Sequence, residues 1–235
     1  MSNLAIIPAR GGSKRIPRKN IKLFLGKPII AYSIQAALKS NLFDEVMVST
    51  DDEEIAAIST KYGAKIPFYR SANNSDDFAT TADVIHEVLD NYEGSNNLFK
   101  YCCCIYPTAP LITVEKLKEA YDKLVNNGFN SVFPVTSFSY PIQRSLEFQN
   151  EKIMMVWDKH LHSRSQDLKP RFHDAGQYYW LDIDAFRSER KLFSNNSGAI
   201  IMSELEVQDI DREIDWKLAE LKYELMNRNE KKDSF

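Results

Sequence analysis

Short apolar runs alternate with segments of helical periodicity along this chain, and no other feature narrows the choice of fold as much. Runs typical of strands lie at residues 4–8, 46–49, 66–69, 100–106, 131–135, 178–183 and 199–202, and helical patterns lie at 28–39, 51–62, 81–92, 113–127 and 211–226. This alternation predicts an α/β, Rossmann-like fold, with a mostly parallel twisted sheet flanked by helices. Such sheets bind ligands at the carboxyl ends of their strands, so the residues after each strand are the first candidates for a site.

The rhythm breaks at about residues 138–170, where polar residues surround one apolar run at 153–157. This break predicts an inserted hairpin or arm within a single domain that spans residues 1–235. The strand pattern then resumes, and the final helical pattern carries Ile214, Leu218, Leu221, Tyr223 and Leu225.

Charge and composition argue against several classes of protein. The net charge is −3 at pH 7. Proteins dedicated to nucleic acids or membrane surfaces usually carry a basic footprint, so neither is expected as a partner. The N-terminus lacks the features of a signal peptide, and no apolar stretch approaches the roughly 18 residues of a membrane span. We therefore expect a cytoplasmic protein.

The three cysteines are consecutive, at Cys102, Cys103 and Cys104. Neighbours on a strand point to opposite faces, and zinc sites need spaced ligands, so neither a disulfide framework nor a zinc site is expected. We predict small buried apolar residues on a central strand, in a reducing compartment.

A basic loop, residues 9–20, follows the first strand. Its two glycines allow close approach of the backbone to a ligand, and its five cations suit a triphosphate. The spacing is not that of a Walker A loop. A solvated loop and an RNA-binding Arg-Gly-Gly stretch are the alternatives, although the acidic balance and the β-α alternation count against RNA. The cations are Arg10, Lys14, Arg15, Arg18 and Lys19.

This loop resembles the nucleotide-binding signature of the CMP-sialic acid synthetase (acylneuraminate cytidylyltransferase) family. The resemblance covers nearly the whole chain, continuing through residues 26–34, 48–51, 63–64, 67–68, 107–110 and 209–211. It implies a fold like that of nucleotide-diphospho-sugar transferases and a homodimer with a dimerisation arm. The implied reaction uses Mg²⁺ and transfers CMP from CTP to the anomeric hydroxyl of a nonulosonic acid, releasing pyrophosphate.

Within this family, residues 13–20 and 175–180 most resemble the branch that acts on pseudaminic acid. Tyr106 stands where sialic acid enzymes usually have Gln, which favours a differently substituted sugar. Sialic acid and legionaminic acid remain open as substrates, and 3-deoxy-octulosonic acid fits the loop less closely. A sugar-phosphate nucleotidyltransferase is a further alternative.

The resemblance also implies residues that bind CTP. Arg10 and Lys19 would hold the triphosphate, with the backbone of the loop as donor, and Arg70 would contact cytosine. The alternative for Arg70 is a surface ion pair with Asp76 or Asp77. Lys14, Arg15 and Arg18 could contribute or be solvated. The complete predicted CTP set is Ala9, Arg10, Gly11, Gly12, Ser13, Lys19, Asn20, Arg70 and Thr80.

Two carboxylates are the best candidates for metal ligands. Asp209 and Asp211 alternate on a segment expected to be extended, and hard oxygen ligands suit Mg²⁺. In the resembling family this pair holds the metal, so Asp211 joins Arg10 and Lys19 in the predicted catalytic set. Asp211 could instead cap the last helix, and Asp215 is expected to be a capping or surface acid. The residues do not single out a general base.

An acidic sugar needs a carboxylate receptor. By resemblance the candidates are Arg164, Lys169 and Arg171, which lie in a basic loop at the end of the inserted segment, and Arg binds carboxylates through two parallel hydrogen bonds. The alternative is that this loop is only solvated. Tyr106 and Gln177 complete the predicted sugar site.

Overall fold

A computed structural model describes residues 2–232 and contains, within that range, eleven strands and six α-helices. The strands are β1 (Asn3–Pro8), β2 (Leu23–Phe24), β3 (Lys27–Pro28), β4 (Glu45–Ser49), β5 (Tyr101–Ile105), β6 (Ser131–Ser137), β7 (Leu146–Gln149), β8 (Lys152–Met155), β9 (Phe172–Asp174), β10 (Tyr178–Asp182) and β11 (Ser197–Met202). The helices are α1 (Ile30–Ser40), α2 (Glu53–Lys61), α3 (Thr81–Gly94), α4 (Val114–Asn127), α5 (Ile183–Glu189) and α6 (Glu213–Lys232).

Seven strands form one twisted sheet in the order β11-β6-β10-β5-β1-β4, with β9 paired to the end of β6. β1 is parallel to both β4 and β5, and β11 is parallel to β6. β10 runs antiparallel between β5 and β6, and β9 is also antiparallel to β6. The predicted mostly parallel α/β sheet is therefore confirmed, with two antiparallel exceptions.

The central strand β5 shows why the core has two halves. Cys102, Cys103 and Cys104 are fully buried and unpaired. Cys103 packs on the face covered by α1 and α4, while its two neighbours pack on the opposite face with side chains of α3 and α5. Burial raises the pKa of the Cys104 thiol to about 12, so these groups stay neutral and behave as the small apolar residues that the sequence predicted.

Side-chain caps fix the ends of three helices close to where the sequence places them. Asp52 accepts a hydrogen bond from the Ile55 amide at 2.9 Å at the start of α2. Thr80 and Asp83 form a capping box at the start of α3, and Thr113 caps α4. Each such cap stabilises a helix by about 1 kcal/mol.

The predicted strand at 66–69 is wrong. Lys65 forms one bridge with Met47 on β4, and its amide donates to the Val46 carbonyl at 2.9 Å. Pro67 has no amide hydrogen with which to continue such a ladder, so the chain leaves the sheet edge. The predicted strand over 178–183 ends at Asp182, whose side chain caps the short helix α5, which the sequence patterns did not indicate.

The last helix begins at Glu213, and the Asp215 carboxylate accepts hydrogen bonds from the amides of Asp211 and Arg212. Asp215 is therefore the capping acid, as predicted. Trp216 and Ala219 form the buried side of α6. The apolar residues on its opposite side are exposed, namely Ile214, Leu218, Leu221 and Leu225.

The arm contains the hairpin formed by β7 and β8, whose turn residues Asn150 and Glu151 both have positive φ. One face of this hairpin is apolar and exposed, since Leu146, Phe148 and Ile153 are 58%, 80% and 54% accessible. Within residues 2–232, none of the helices combines the length and apolar character needed to cross a bilayer.

Candidate active site

The basic loop is attached to the end of β4. The Ala9 amide donates to the Ser49 carbonyl at 2.9 Å, and the Gly11 amide donates to Asp51 Oδ1 at 2.9 Å. A Cβ atom at position 11 would lie 2.7 Å from Asp52 Oδ2, so a larger residue at this position would force a shift. Glycine therefore allows the loop to approach the neighbouring carboxylates closely.

An apolar cluster holds the basic loop against the segment that carries Asp209 and Asp211. Ile16 of the loop and Ile210, which lies between the two acids, are both buried with Phe24 and Trp216. Because Ile210 points into this cluster, the acids on either side of it are held close to the cations of the loop.

Lys19 bridges the loop and the acidic segment. Its Nζ donates to the Ile210 carbonyl at 2.6 Å and lies 3.7 Å from Asp211 Oδ1. Burial lowers the pKa of Lys19, and the Asp211 carboxylate opposes that shift. The neighbouring Asn20 is buried and donates to the Arg10 carbonyl at 2.9 Å, which links the two ends of the loop.

A first cavity of about 500 Å³ opens beside this loop and brings most of the predicted CTP residues together. Ala9, Gly11 and Gly12 belong to the loop backbone and are not among its lining residues. Lys14 and Arg15 line the cavity, and Arg18 does not. The predicted residues that line it are Arg10, Ser13, Lys19, Asn20, Arg70, Thr80 and Tyr106.

Arg70 is a buried cation in the wall of this cavity, only 8% exposed. Its Nε donates to Ser49 Oγ at 3.0 Å, and a terminal nitrogen donates to the Ser49 carbonyl. Burial lowers the pKa of Arg70. The alternative of a surface ion pair is wrong, because the Asp76 carboxylate accepts the amides of Phe78 and Ala79, and the Asp77 carboxylate pairs with Arg10 and Lys14.

Asp77 forms ion pairs with two cations of the loop, Arg10 and Lys14. One carboxylate oxygen lies 3.0 Å from the Arg10 guanidinium, and the other accepts a hydrogen bond from Lys14. Arg10 also donates to the Asp76 carbonyl. The contact with Lys14 lowers the pKa of Asp77. An anionic group is therefore already bound where the sequence predicts a triphosphate.

Asp209 and Asp211 stand beside the loop, and their role as metal ligands stays a prediction. Asp211 is 2.6 Å from the Arg15 guanidinium and does not act as the cap of α6. Lost hydration and the nearby Asp211 charge raise the pKa of Asp209. The described part of the chain has no cluster of three or more His, Cys, Asp or Glu side chains arranged for a metal, so a metal here would need additional ligands from phosphate and water.

Asp209 lines a second cavity, of about 400 Å³. Thr136 in its wall is 3% exposed and its hydroxyl oxygen has no hydrogen-bond partner. Lys222 donates to the carbonyls of Glu204 and Val207 at 2.8 and 2.6 Å. Among the described residues that line this cavity, Lys222 is the single lysine or arginine.

The structure separates the predicted sugar residues. Tyr106 lies in the first cavity, and its hydroxyl is 3.0 Å from Thr81 Oγ1. Gln177 is 2% exposed and donates to the Glu206 carbonyl at 2.6 Å, while its Oε1 has no partner. Gln177 is not among the residues that line either cavity, and its hydrogen bond links β10 to the segment at Glu206.

The three predicted carboxylate receptors of the arm line neither cavity. Arg164 is 72% exposed in its side chain and pairs with Asp167 at 2.7 Å. Arg171 lines a separate cavity of about 360 Å³ beside Trp157, and the backbone carbonyl of Lys169 accepts a hydrogen bond from Gln143. A role for these residues in sugar binding stays a prediction.

Sequence patterns missed most of the second cavity. Thr136 lies next to the last residue of β6, Asp174 ends β9 and Lys222 lies on α6, so they come from three distant segments. Each is an ordinary residue type without a surrounding motif. The signal that could have found Thr136 and Asp174 is their position at the ends of predicted or neighbouring strands.

A parallel sheet whose first strand leads into a basic glycine loop, beside a pair of carboxylates, defines a nucleotidyltransferase-type site. Residues 4–215 match the profile of the family described as cytidylyltransferase. The chain belongs to this family and is a CTP-dependent nucleotidyltransferase, so the predicted family and enzyme class are confirmed.

The chain is similar in sequence, over nearly its whole length, to two characterised members of the family. The chain is 46% identical over 226 residues to a pseudaminic acid cytidylyltransferase of Campylobacter jejuni, covering 96% of this chain and 97% of the relative. It is 34% identical over 232 residues to the CMP-N,N'-diacetyllegionaminic acid synthase of Legionella pneumophila, with 96% and 97% covered.

A solved structure confirms the fold. The chain superposes with a TM-score of 0.70 on a CMP:2-keto-3-deoxy-manno-octonic acid synthetase solved with CTP, at 16% identity. The match covers 97% of this chain and all of that one.

Proposed function

We propose that this chain transfers CMP from CTP to the anomeric hydroxyl of pseudaminic acid and releases pyrophosphate. The observation that carries the proposal is that the Asp209–Asp211 pair contacts both cavities. The partners of Asp211 line the first cavity, and Asp209 lines the second. A nucleotide in one cavity and an acceptor in the other would meet at this pair. The 46% identity with a pseudaminic acid cytidylyltransferase supports the choice of acceptor.

CTP fits the first cavity by charge. Arg10, Lys14, Arg15 and Lys19 converge on one side, where they can neutralise a triphosphate. Arg70, Thr80 and Asn20 remain for the base and ribose. In this arrangement the triphosphate takes the place of the Asp77 carboxylate, because both need Arg10 and Lys14.

Asp209 and Asp211 suit Mg²⁺. They are hard oxygen donors close to the predicted triphosphate. Burial, and after it the charge of Asp211, raises the pKa of Asp209, and a bound cation would offset both effects. When bound, Mg²⁺ would neutralise charge on the phosphates during the transfer. Arg15 and Lys19 provide the positive charge beside Asp211 in the structure itself.

The second cavity is proposed to hold the sugar. Its volume of about 400 Å³ falls in the range of small-molecule sites. A lysine has three donors, and Lys222 uses two of them on backbone carbonyls, which leaves one for the sugar carboxylate. The unpartnered Thr136 hydroxyl and the side chain of Asp174 can bind hydroxyl or acylamino groups.

The proposed transfer is one displacement at the α-phosphorus of CTP. The anomeric oxygen forms a bond to phosphorus while the bond from the α-phosphorus to the bridging oxygen breaks. The hydroxyl proton passes to the Asp209–Asp211 pair, and pyrophosphate leaves toward the cations of the basic loop.

The arm is proposed to form a homodimer through the apolar face of its hairpin. Leu146, Phe148 and Ile153 form an apolar surface on one face of the hairpin. A monomer would leave this surface in contact with water, and a dimer would bury it. Phe148→Ser should halve the mass measured by analytical ultracentrifugation. Gln149→Ser, on the opposite face of the same hairpin, is the control and should leave the mass unchanged. The proposed location in the cytoplasm stays a prediction.

Pyrophosphate release tests the reaction. The enzyme is given CTP and Mg²⁺ with pseudaminic, legionaminic or sialic acid, and with a sugar 1-phosphate or no acceptor as controls. Release with pseudaminic acid at a kcat/KM well above the others supports the proposal. Preference for another nonulosonic acid overturns the assigned acceptor, and release only with a sugar phosphate overturns the acceptor class.

A further inference from the structure

Arg18 belongs to the basic loop but makes its contacts away from the first cavity. Its guanidinium forms two hydrogen bonds with the Asp52 carboxylate, at 2.5 and 2.9 Å, and lies 2.5 Å from Glu54. We propose that Arg18 is a positioning residue, which closes the loop around CTP by binding Asp52 and does not contact phosphate.

The backbone conformation at Arg18 directs its side chain away from those of Lys19 and Asn20. Arg18 is left-handed, with φ 54° and ψ 30°, a conformation that costs a residue other than glycine about 1 kcal/mol. A short turn follows, in which the amides of Ile21 and Lys22 donate to the Arg18 carbonyl at 3.0 Å. Lys19 and Asn20 consequently line the cavity, while the Arg18 side chain reaches α2.

Asp51 and Asp52 together hold both ends of the cationic part of the loop. Asp51 accepts the Gly11 amide at one end, and Asp52 binds Arg18 at the other. Asp52 is itself fixed, because it also accepts the Ile55 amide as the cap of α2. The Arg18 contact lowers the pKa of Asp52 to about 2, so this carboxylate stays ionised at neutral pH.

Closure of the loop has a direct consequence for CTP. Arg10, Lys14, Arg15 and Lys19 repel one another, and an unattached loop would separate them and would have to be ordered when CTP binds. A loop held at Gly11 and Arg18 keeps these cations together before CTP arrives. Arg18 should therefore act on CTP affinity through Asp52.

A double-mutant cycle tests this mechanism, with CTP affinity measured by calorimetry in the absence of sugar. The variants are Arg18→Ala, Asp52→Asn and the pair, and Asn is chosen because it can still cap α2. Arg18→Ala should weaken CTP binding by about tenfold, and Asp52→Asn by a similar factor. The double variant should bind no more weakly than either single variant. The result does not depend on which sugar is the acceptor.

A second cycle with Lys14 provides the matched comparison, since Lys14 is a loop cation that does line the cavity. Lys14→Ala in the Asp52→Asn background should weaken CTP binding further, because Lys14 lines the cavity itself. If Arg18→Ala costs a further tenfold in the Asp52→Asn background, Arg18 acts on CTP directly and the proposal is overturned. Arg18→Lys, which keeps the charge but not the paired hydrogen bonds, should restore only part of the affinity, and thermal melting of each variant reports whether it is folded.

Discussion

The basic loop and the arm both carry cations that the sequence assigns to substrates, but the structure treats them differently. In the loop, Lys19 contacts the backbone of a distant segment, and Arg70 beside it is 8% exposed. In the arm, the side chain of Arg164 is 72% exposed and contacts an acid three residues away. The loop is held by long-range contacts, whereas these arm cations are held by local ones.

This difference indicates where binding is organised in advance. The nucleotide side is assembled within one chain, because the sheet, α2 and the acidic segment all contact the loop. The arm presents its cations and an apolar hairpin face to the outside. Substitutions in the loop should therefore have large effects on turnover, and substitutions in the arm should act through assembly or have little effect.

The largest effect is expected from Asp211→Asn. Loss of a carboxylate beside the triphosphate should lower kcat by at least about a hundredfold or raise the Mg²⁺ requirement, because a metal contributes several kcal/mol to the transition state. Pyrophosphate release at increasing Mg²⁺ measures this. Asp122→Asn, an exposed acid on α4, is the control. An unchanged Mg²⁺ dependence would place the metal site elsewhere.

Arg10→Ala and Arg164→Ala test the comparison itself. Arg10→Ala should lower kcat/KM by at least about tenfold, since a charged contact to the triphosphate is worth a few kcal/mol. Arg164→Ala should stay within about threefold, as expected for an exposed ion pair. Steady-state kinetics with both substrates measures the two variants. An equal loss would show that the arm completes the active site and that the comparison fails.

Lys222→Met sharpens the assignment of the second cavity. Removal of the cation should raise KM for the acidic sugar by about tenfold and leave KM for CTP unchanged, because a charged hydrogen bond contributes about 1.5–3 kcal/mol. Lys217→Met, an exposed lysine on the same helix, is the control. A rise in both KM values would instead indicate a structural role for the hydrogen bonds to Glu204 and Val207.

The smallest effect is expected from Asp77→Asn. The carboxylate competes with CTP for Arg10 and Lys14, so its neutralisation should lower the Kd of CTP by about threefold, the scale of an exposed ion pair. Titration of CTP by calorimetry measures the change, and Asp77→Glu should restore the original affinity. Weaker binding in Asp77→Asn would mean that this acid helps to hold the nucleotide.

The sequence predicted those parts of the site that consist of residues close together in the chain, and missed those formed by residues far apart in it. The basic loop and the Asp209–Asp211 pair could be found because each is a compact motif next to a strand or a helix. The second cavity could not, since Thr136, Asp174 and Lys222 meet only after the chain has folded. The helical periodicity predicted α6 but did not predict which side of it is buried, because an apolar helix face gives no information about the element that packs against it. Arg18 carries the same charge as Lys14, and only the left-handed backbone at Arg18 itself separates their roles.

The three consecutive cysteines have a practical consequence for chemical labelling. They are all of the cysteines in the chain, and each is fully buried with its thiol held neutral. Thiol reagents need an accessible thiolate, so the folded protein should not react with maleimides. A single cysteine introduced at Asn150, at the tip of the hairpin, would then carry a fluorophore or spin label alone, without removal of any natural residue.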